Sequence, residues 1–184
     1  MVGDDFAAVL AAAQGGSEEQ FALLWRDANP SLLRYLRVLA PDSAEDIAAE
    51  TWVYVVKGLQ RFTGDESAWR AWLFTTARRR LFDQARQRKR HPADPIDDLL
   101  PGDMPMAPGA EQLALQNIAT ESAIALLGSL PGRQAEVIML RVIAGLDTET
   151  VAGMLDMTTG AVRVYAHRGL RKLETLLTQA RAGV

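Results

Sequence analysis

Gly145-Leu-Asp-Thr-Glu-Thr-Val-Ala-Gly-Met-Leu-Asp-Met-Thr-Thr-Gly-Ala-Val-Arg-Val-Tyr-Ala-His-Arg-Gly-Leu-Arg-Lys-Leu173 decides the reading of this 184-residue chain. It reads as a short helix, a tight turn and a longer basic helix. Thr148 is expected to N-cap the first helix and Thr158 the second, because each hydroxyl can accept an N–H that a helix start leaves unpaired. Val151, Ala152 and Leu155 share one face of the first helix; Ala161, Val162, Tyr165 and Ala166 share one face of the second. Small Ala152 leaves room for a close crossing. The second helix carries Arg163, Arg168, Arg171 and Lys172 on its other face. A short helix braced against a helix with a basic outer face is the pattern of a DNA-binding helix-turn-helix. A capped helix pair whose basic face is merely solvated is the plainer alternative for this segment by itself.

Composition narrows the field. A hydrophobic fraction of 48% supports packed cores. The absence of cysteine removes disulfides, thiol nucleophiles and cysteine-based zinc sites, and it fits a reducing cytoplasm. The two histidines, His91 and His167, lie in different halves, which gives little support to a metal site or catalytic triad. No cofactor is expected. Asp4 and Asp5 stand where a signal peptide would place lysines, and no apolar run is long enough to span a bilayer, so no membrane insertion is expected. Net charge is −3, yet positive charge gathers at Arg78–Arg90 and Arg163–Lys172. For a nucleic-acid binder the distribution matters more than the sum.

Outward from the opening stretch, the periodicity is helical and no strand is expected. Asp5–Gln14 should form a helix ended by Gly15-Gly16. Ser17-Glu-Glu-Gln20 is a candidate capping box, leading into an apolar stripe that Pro30 should kink or restart. Ser43 or Asp42 should cap a helix over Ala44–Leu59, with Ile47, Thr51, Tyr54 and Val55 on one face. Phe62–Ser67 should be a loop, and Ser67 should cap a long helix over Ala68–Arg88. Most of the chain's prolines lie between 91 and 112, a linker composition. The chain therefore reads as an all-α protein: a helical domain at 1–90, a linker at 91–112, and a helical domain at 113–184 that contains the helix-turn-helix.

In the long helix, Trp69, Trp72, Leu73, Ala77 and Leu81 should face the core. Arg79, Asp83, Arg86 and Arg90 recur at i, i+4, i+7 and i+11, with Arg78, Arg80, Arg88 and Lys89 widening the patch. Guanidinium groups pair bidentately with phosphates and release condensed counterions. Asp83 should hold Arg79 and Arg86 in place. Aromatic residues just before such a patch suit melted nucleic acid, with rings for bases and arginines for the backbone; a solvated basic helix end is the alternative.

Taken together, these segments resemble the extracytoplasmic-function (group four) sigma factors of bacterial RNA polymerase, over almost the whole chain. Ala44-Glu-Asp-Ile-Ala-Ala-Glu-Thr-Trp52 is similar to the family's segment that docks on the polymerase clamp helices. Trp69–Arg86 is similar to the segment that melts and reads the −10 element. Leu130–Arg141 and Gly145–Leu173 are similar to the domain that reads the −35 element. The resemblance implies a promoter-specificity subunit that has no active site of its own and is not an enzyme. Its implied partners are core RNA polymerase (clamp helices and flap region), promoter DNA and a candidate anti-sigma factor.

By position, the resemblance gives Asp46 and Glu50 to the polymerase contact, with Trp52 structural. Phe62–Ser67, and so Phe62 and Ser67, would receive a flipped −10 base, and Arg79, Asp83 and Arg86 would line the −10 strand. Thr159, Gly160, Arg163, His167 and Arg168 would meet the −35 groove or its phosphates. Asp94, Asp97, Asp98 and Asp103 of the linker would lie in the polymerase's RNA channel. Ala49, Arg79 and Tyr165 depart from the residues usual in the family. Two other classes compete. A free-standing helix-turn-helix regulator leaves the acidic and arginine-rich helices without a task. An enzyme finds no nucleophile–base pair, metal cluster or phosphate loop.

Overall fold

The structure is a computed structural model and describes residues 3–90 and 121–182. Within these residues the regular structure is helical, as the periodicity predicts, with no strand. The expected linker, its four acids and the first residues of the expected C-terminal domain lie outside the described residues.

A short 3-10 turn at Gly3–Asp5 leads into α1 (Phe6–Gln14), followed by α2 (Glu18–Leu39), α3 (Ala44–Gly58) and α4 (Glu66–Arg90). Leu24, Leu32, Leu36, Ile47, Val55, Trp69, Leu73 and Phe74 fill the space between them. Each comes from a helical apolar stripe, so burying one face of every helix makes a single core. Gly58 lets α3 end against α4: a Cβ there would sit 2.8 Å from a ring carbon of Trp72. Pro30 neither ends nor restarts α2, which is helical from Glu18 to Leu39.

The second part comprises α5 (described over 121–128), α6 (Gly132–Ile138), a π-helical turn (Met139–Ile143), α7 (Thr148–Leu155) and α8 (Thr159–Ala182). In the π turn Ala144 donates to the Met139 carbonyl five residues back, and the Arg141 guanidinium donates to the Leu146 carbonyl. Val137, Met139, Leu140, Leu146, Val151, Leu155 and Val162 form the core beneath the helix-turn-helix. Gly169 lies against Ile138, whose Cδ1 would be 2.5 Å from an added Cβ, so α8 and α6 approach closely there. The two parts also touch: α2 packs on α6 and the π turn.

Several caps differ from the sequence reading. Asp147, not Thr148, starts α7, its carboxylate accepting the Thr150 N–H at 2.8 Å and the Thr150 hydroxyl at 2.7 Å. Thr148 is one residue too far in, at a position with helical dihedrals. Asp65, not Ser67, accepts the Ala68 N–H at 2.8 Å at the start of α4. Ser17 accepts the Gln20 N–H, but its own N–H goes to the Ala12 carbonyl, so the box is only half formed. Neither Ser43 nor Asp42 caps α3, because a 3-10 turn over Pro41–Ser43 runs straight into it; the Ser43 hydroxyl is buried without a partner. Thr158 does cap α8, accepting the Ala161 N–H at 3.1 Å. Between α7 and α8, Asp156 takes the left-handed conformation at φ 52° and its N–H closes onto the Ala152 carbonyl. Aspartate tolerates that region better than most residues, but glycine does so without steric cost.

Two expectations follow from these termini. Thr158→Ala should lower stability by about 1 kcal/mol, the usual worth of a side-chain cap, while Asp156→Gly should raise the thermal midpoint; melting followed by circular dichroism checks both. The hydrogen bonds from Thr150 hold the Asp147 carboxyl below the usual carboxylate range. A pKa lowered in the fold stabilises fully above its unfolded value and loses that contribution as pH falls through the folded one. Asp147→Asn should therefore flatten the acid limb of the stability–pH curve and leave its neutral limb parallel to wild type.

Candidate nucleic-acid interface

The arginine-rich half of α4 is aimed by the anchoring of its first half. Trp69 is almost fully buried, with Phe6, Trp52, Phe62 and Trp72 around its ring at 5.6–6.5 Å between centroids. Arg70 beside it is 8% exposed, bonded to Asp27 at 2.8 Å and facing Glu66 at 3.7 Å. Past Ala77 the helix leaves the core and its cations diverge. Arg79 and Arg86 are exposed. Asp83 lies between Arg80 at 3.2 Å and Arg86 at 3.9 Å, so it pairs with Arg86 as expected but on its other side with Arg80, not Arg79. Arg80 also stacks on Tyr54 of α3, 4.2 Å from the ring centroid. Arg78 stacks on Phe82 and bonds Glu136 of α6 at 2.8 Å. The basic patch is thus divided: Arg79 and Arg86 face solvent, whereas Arg78 and Arg80 brace neighbouring helices. The side chains of Arg88, Lys89 and Arg90 lie outside the described residues.

The segment before α4 is held from below. The Gln14 amide donates to the carbonyls of Leu59 at 2.9 Å and Phe62 at 2.7 Å. Phe62 is half-buried and stacks on Trp72 with centroids 5.0 Å apart. Gly64, at φ +153°, would place a Cβ 2.7 Å from that of Ala68, so the tight bend needs glycine. Ser67 is exposed on the first turn of α4.

On α8, Gly160, Arg163, Val164 and His167 recur at i, i+3, i+4 and i+7 and are exposed, with Arg168 beside them; Thr159 is half-buried at the helix start. These side chains converge on the outward face of the second helix of the motif, while Val162 points into the core. Exposed Val164 carries no charge and so stands outside the basic pattern of the sequence. Its interest is that an apolar side chain among arginines could touch a thymine methyl in a major groove.

The α3 surface is a separate face. Asp46, Glu50, Val53, Tyr54 and Lys57 are exposed along one stripe, and Tyr54 is 51% exposed instead of joining Ile47, Thr51 and Val55 in the core. Acids flanked by uncovered apolar groups suit a protein partner rather than DNA. Glu45 lies to the side, bonded to Arg37 at 2.8 Å, and that hydrogen bond holds its carboxyl below the usual range. Trp52 is packed, donating its indole N–H to Asn29 at 2.9 Å. Among the described residues no group of histidines and acids could hold a metal, and no helix is long and apolar enough to cross a membrane.

Known proteins share this organisation. Residues 24–91 match the profile of Sigma-70 region 2 and residues 120–173 that of Sigma-70, region 4. The chain is 31% identical to the ECF RNA polymerase sigma factor SigD of Mycobacterium tuberculosis, over 98% of this chain and 87% of the relative. It is 35% identical to the ECF RNA polymerase sigma factor ShbA of Streptomyces griseus, over 94% and 95%. In fold it is similar to CnrH in complex with the cytosolic domain of CnrY, with a TM-score of 0.60 and 24% identity over 96% of this chain and 99% of that one. It is similar too to the sigma factor RpoE in complex with the anti-sigma factor NepR from Bartonella quintana, with a TM-score of 0.61 and 24% identity over 87% and 98%. The fold, the matched regions and relatives aligned over nearly their full length agree: the chain belongs to the ECF sigma factors of RNA polymerase, which are transcription initiation factors rather than catalytic enzymes.

Proposed function

We propose that this sigma factor binds core RNA polymerase through the α3 stripe, reads a −35 element with α8, and reads and helps melt a −10 element with α4 and the 62–67 loop. The observation that carries this reading is the pair of outward cationic helix faces, Arg79/Arg86 and Arg163/Arg168, each in its own matched region. Arg163 and His167 enter the major groove, since the N-terminal end of a recognition helix reaches base edges. Thr159 and Gly160 approach the backbone at the helix start, and Arg168 bonds a phosphate. Arg79 and Arg86 track the −10 strand with Asp83 fixing Arg86, and the loop carrying Phe62 and Ser67 takes a flipped base. An anti-sigma protein that covers these surfaces is a further expected partner, in line with the complexes named for CnrH and RpoE. A regulator working without polymerase would leave the exposed acid-and-valine stripe of α3 unused.

Run-off transcription with core polymerase on a promoter library tests the whole reading; no sigma-dependent start site would refute it. Three substitutions test its parts. Asp46→Arg should weaken capture of core polymerase while the circular dichroism stays native, and unchanged capture would remove α3 from the interface. Arg86→Ala should slow open-complex formation on closed duplex far more than on a pre-melted bubble; equal losses would indicate an ordinary phosphate contact. Arg163→Ala should relax preference at one −35 position by about 1–3 kcal/mol, the worth of a bidentate guanine contact. Lys172 lies about two and a half turns beyond Arg163 on α8, so Lys172→Ala should lower binding evenly or leave it unchanged.

A further inference from the structure

Helix α1 has no task in the reading above. It precedes residues 24–91, the span matched to Sigma-70 region 2. Its inner face buries Phe6, Val9, Leu10 and Ala13, and its exposed positions are all alanine. Methyl groups offer a partner neither charge nor hydrogen bonds. Gln14 is the one polar side chain of this helix, and it is half-buried. Its amide nitrogen carries two N–H donors, and two acceptors match them: the Leu59 carbonyl at 2.9 Å and the Phe62 carbonyl at 2.7 Å.

These carbonyls bracket a change of backbone. The 3-10 turn Leu59–Arg61 ends at Phe62, which is extended at ψ 133°. The Phe62 N–H still points back to the Leu59 carbonyl, at 3.1 Å. The Gln14 amide thus ties a carbonyl of the turn to the first extended one, where the chain enters the 62–67 loop. Gln14 is itself fixed, because Gly16 at φ +97° closes the end of α1 and the Ser17 N–H reaches the Ala12 carbonyl at 3.0 Å. The start of the same segment grips the far side of the loop. The Gly3 N–H donates to the carboxylate of Glu66, the first residue of α4, at 3.1 Å, and Phe6 packs on Trp69 with centroids 6.5 Å apart. One short helix therefore braces both shoulders of the loop.

We infer that Gln14 is a positioning residue for the −10 base, holding the 62–67 loop in the shape that receives it; this rests on the two-element reading above. Its amide faces the loop backbone, so it acts through the loop and not on the DNA. Flipping a base out of the stack costs several kcal/mol by itself, roughly, before any pocket contact forms. A loop that must also order itself on binding loses part of the contact energy to that ordering. Two hydrogen bonds from a packed helix set the loop in advance. Without them the Phe62 end of the loop is released while Gly64 and Asp65 still shape its other end.

Abasic sites placed singly along the non-template −10 strand, on a promoter that the wild type opens with core polymerase, locate the base that matters. Gln14→Met keeps the bulk of the side chain and removes both donors. On the intact promoter it should slow open-complex formation about tenfold, the worth of two ordinary hydrogen bonds. On the promoter lacking that base, wild type and variant should open at equal rates, whereas removing a neighbouring base should leave the gap between them. Gln14→Glu has the same shape and, as a carboxylate, no donor, so it should repeat the pattern. Amide hydrogen exchange of the free chain should quicken across 59–67 in both variants while α2 stays protected. A loss of the same size on every template would mean a general folding defect and overturn the positioning role, as would opening rates or exchange equal to wild type. If no abasic position slows the wild type, the flipped-base reading fails, while exchange across 59–67 still decides whether Gln14 holds the loop.

Discussion

Arg70 enters the core of the N-terminal part with its charge bonded to Asp27 and its neighbour Trp69 walled in by four aromatic rings. The direction in which α4 leaves that core is set there, and everything proposed for the −10 element depends on it. A long helix anchored at one end is a lever. Each residue advances about 1.5 Å, so a small rotation at Trp69 would move Arg86 by several ångströms. Aromatic packing resists such rotation better than aliphatic packing, because flat rings interlock at few angles. The buried guanidinium adds direction, since a bonded charge inside a core tolerates only one partner geometry. The anchor does more for the placement of Arg79 and Arg86 than for raw stability.

The same anchor explains what was legible in the sequence. Periodicity of Trp69, Leu73 and Ala77 identified the buried face of α4, and the remaining face had to carry the cations. Likewise Val151, Leu155 and Val162 marked the inner faces of the helix-turn-helix, so Arg163, His167 and Arg168 had to point out. Inside and outside follow from a helix's own repeat. What periodicity could not supply was the tertiary partner of each exposed-looking charge. Arg78 and Arg80 read as part of one basic patch, yet one bonds Glu136 from a helix distant in sequence and the other stacks on Tyr54. Tyr54 read as core because it shares a helical face with Ile47, but arginine covers it where leucine would have been expected. Cap positions slipped by one or two residues for a local reason. Thr, Ser and Asp cluster at helix starts, and only the dihedral of the preceding residue decides which oxygen meets the free N–H.

Three surfaces lie on separate helices, and two of them meet where Arg80 of α4 stacks on Tyr54 of α3. The α3 stripe combines acids with uncovered valines, a composition for a protein partner whose rim is charged and whose centre is apolar. The α8 face presents arginine, histidine and valine at one helical spacing, suited to a groove that offers acceptors and methyl groups. The α4 face presents Arg79 and Arg86 with exposed Phe82 between them, a pairing of cations for a backbone with a ring for a base. Net charge of −3 is compatible with all of this, because the exposed cations Arg79, Arg86, Arg163 and Arg168 gather on two helix faces while the acids are spread along the chain. A slightly acidic chain also resists nonspecific DNA, which attracts by charge alone.

Division of labour has a mechanical consequence. Surfaces that meet one promoter at separate points need a chain that can lengthen, whereas a free chain gains by covering apolar area. The contact between α2, α4 and α6 reconciles the two demands by being mixed. Tyr35 and Phe74 contribute burial that favours closure, while Glu136 and Arg78 bring charges that lose hydration on closing. An all-apolar contact of the same size would hold more firmly, since replacing buried ion pairs by packed hydrophobic groups commonly stabilises. Retaining a glutamate at that position therefore works against maximal closure.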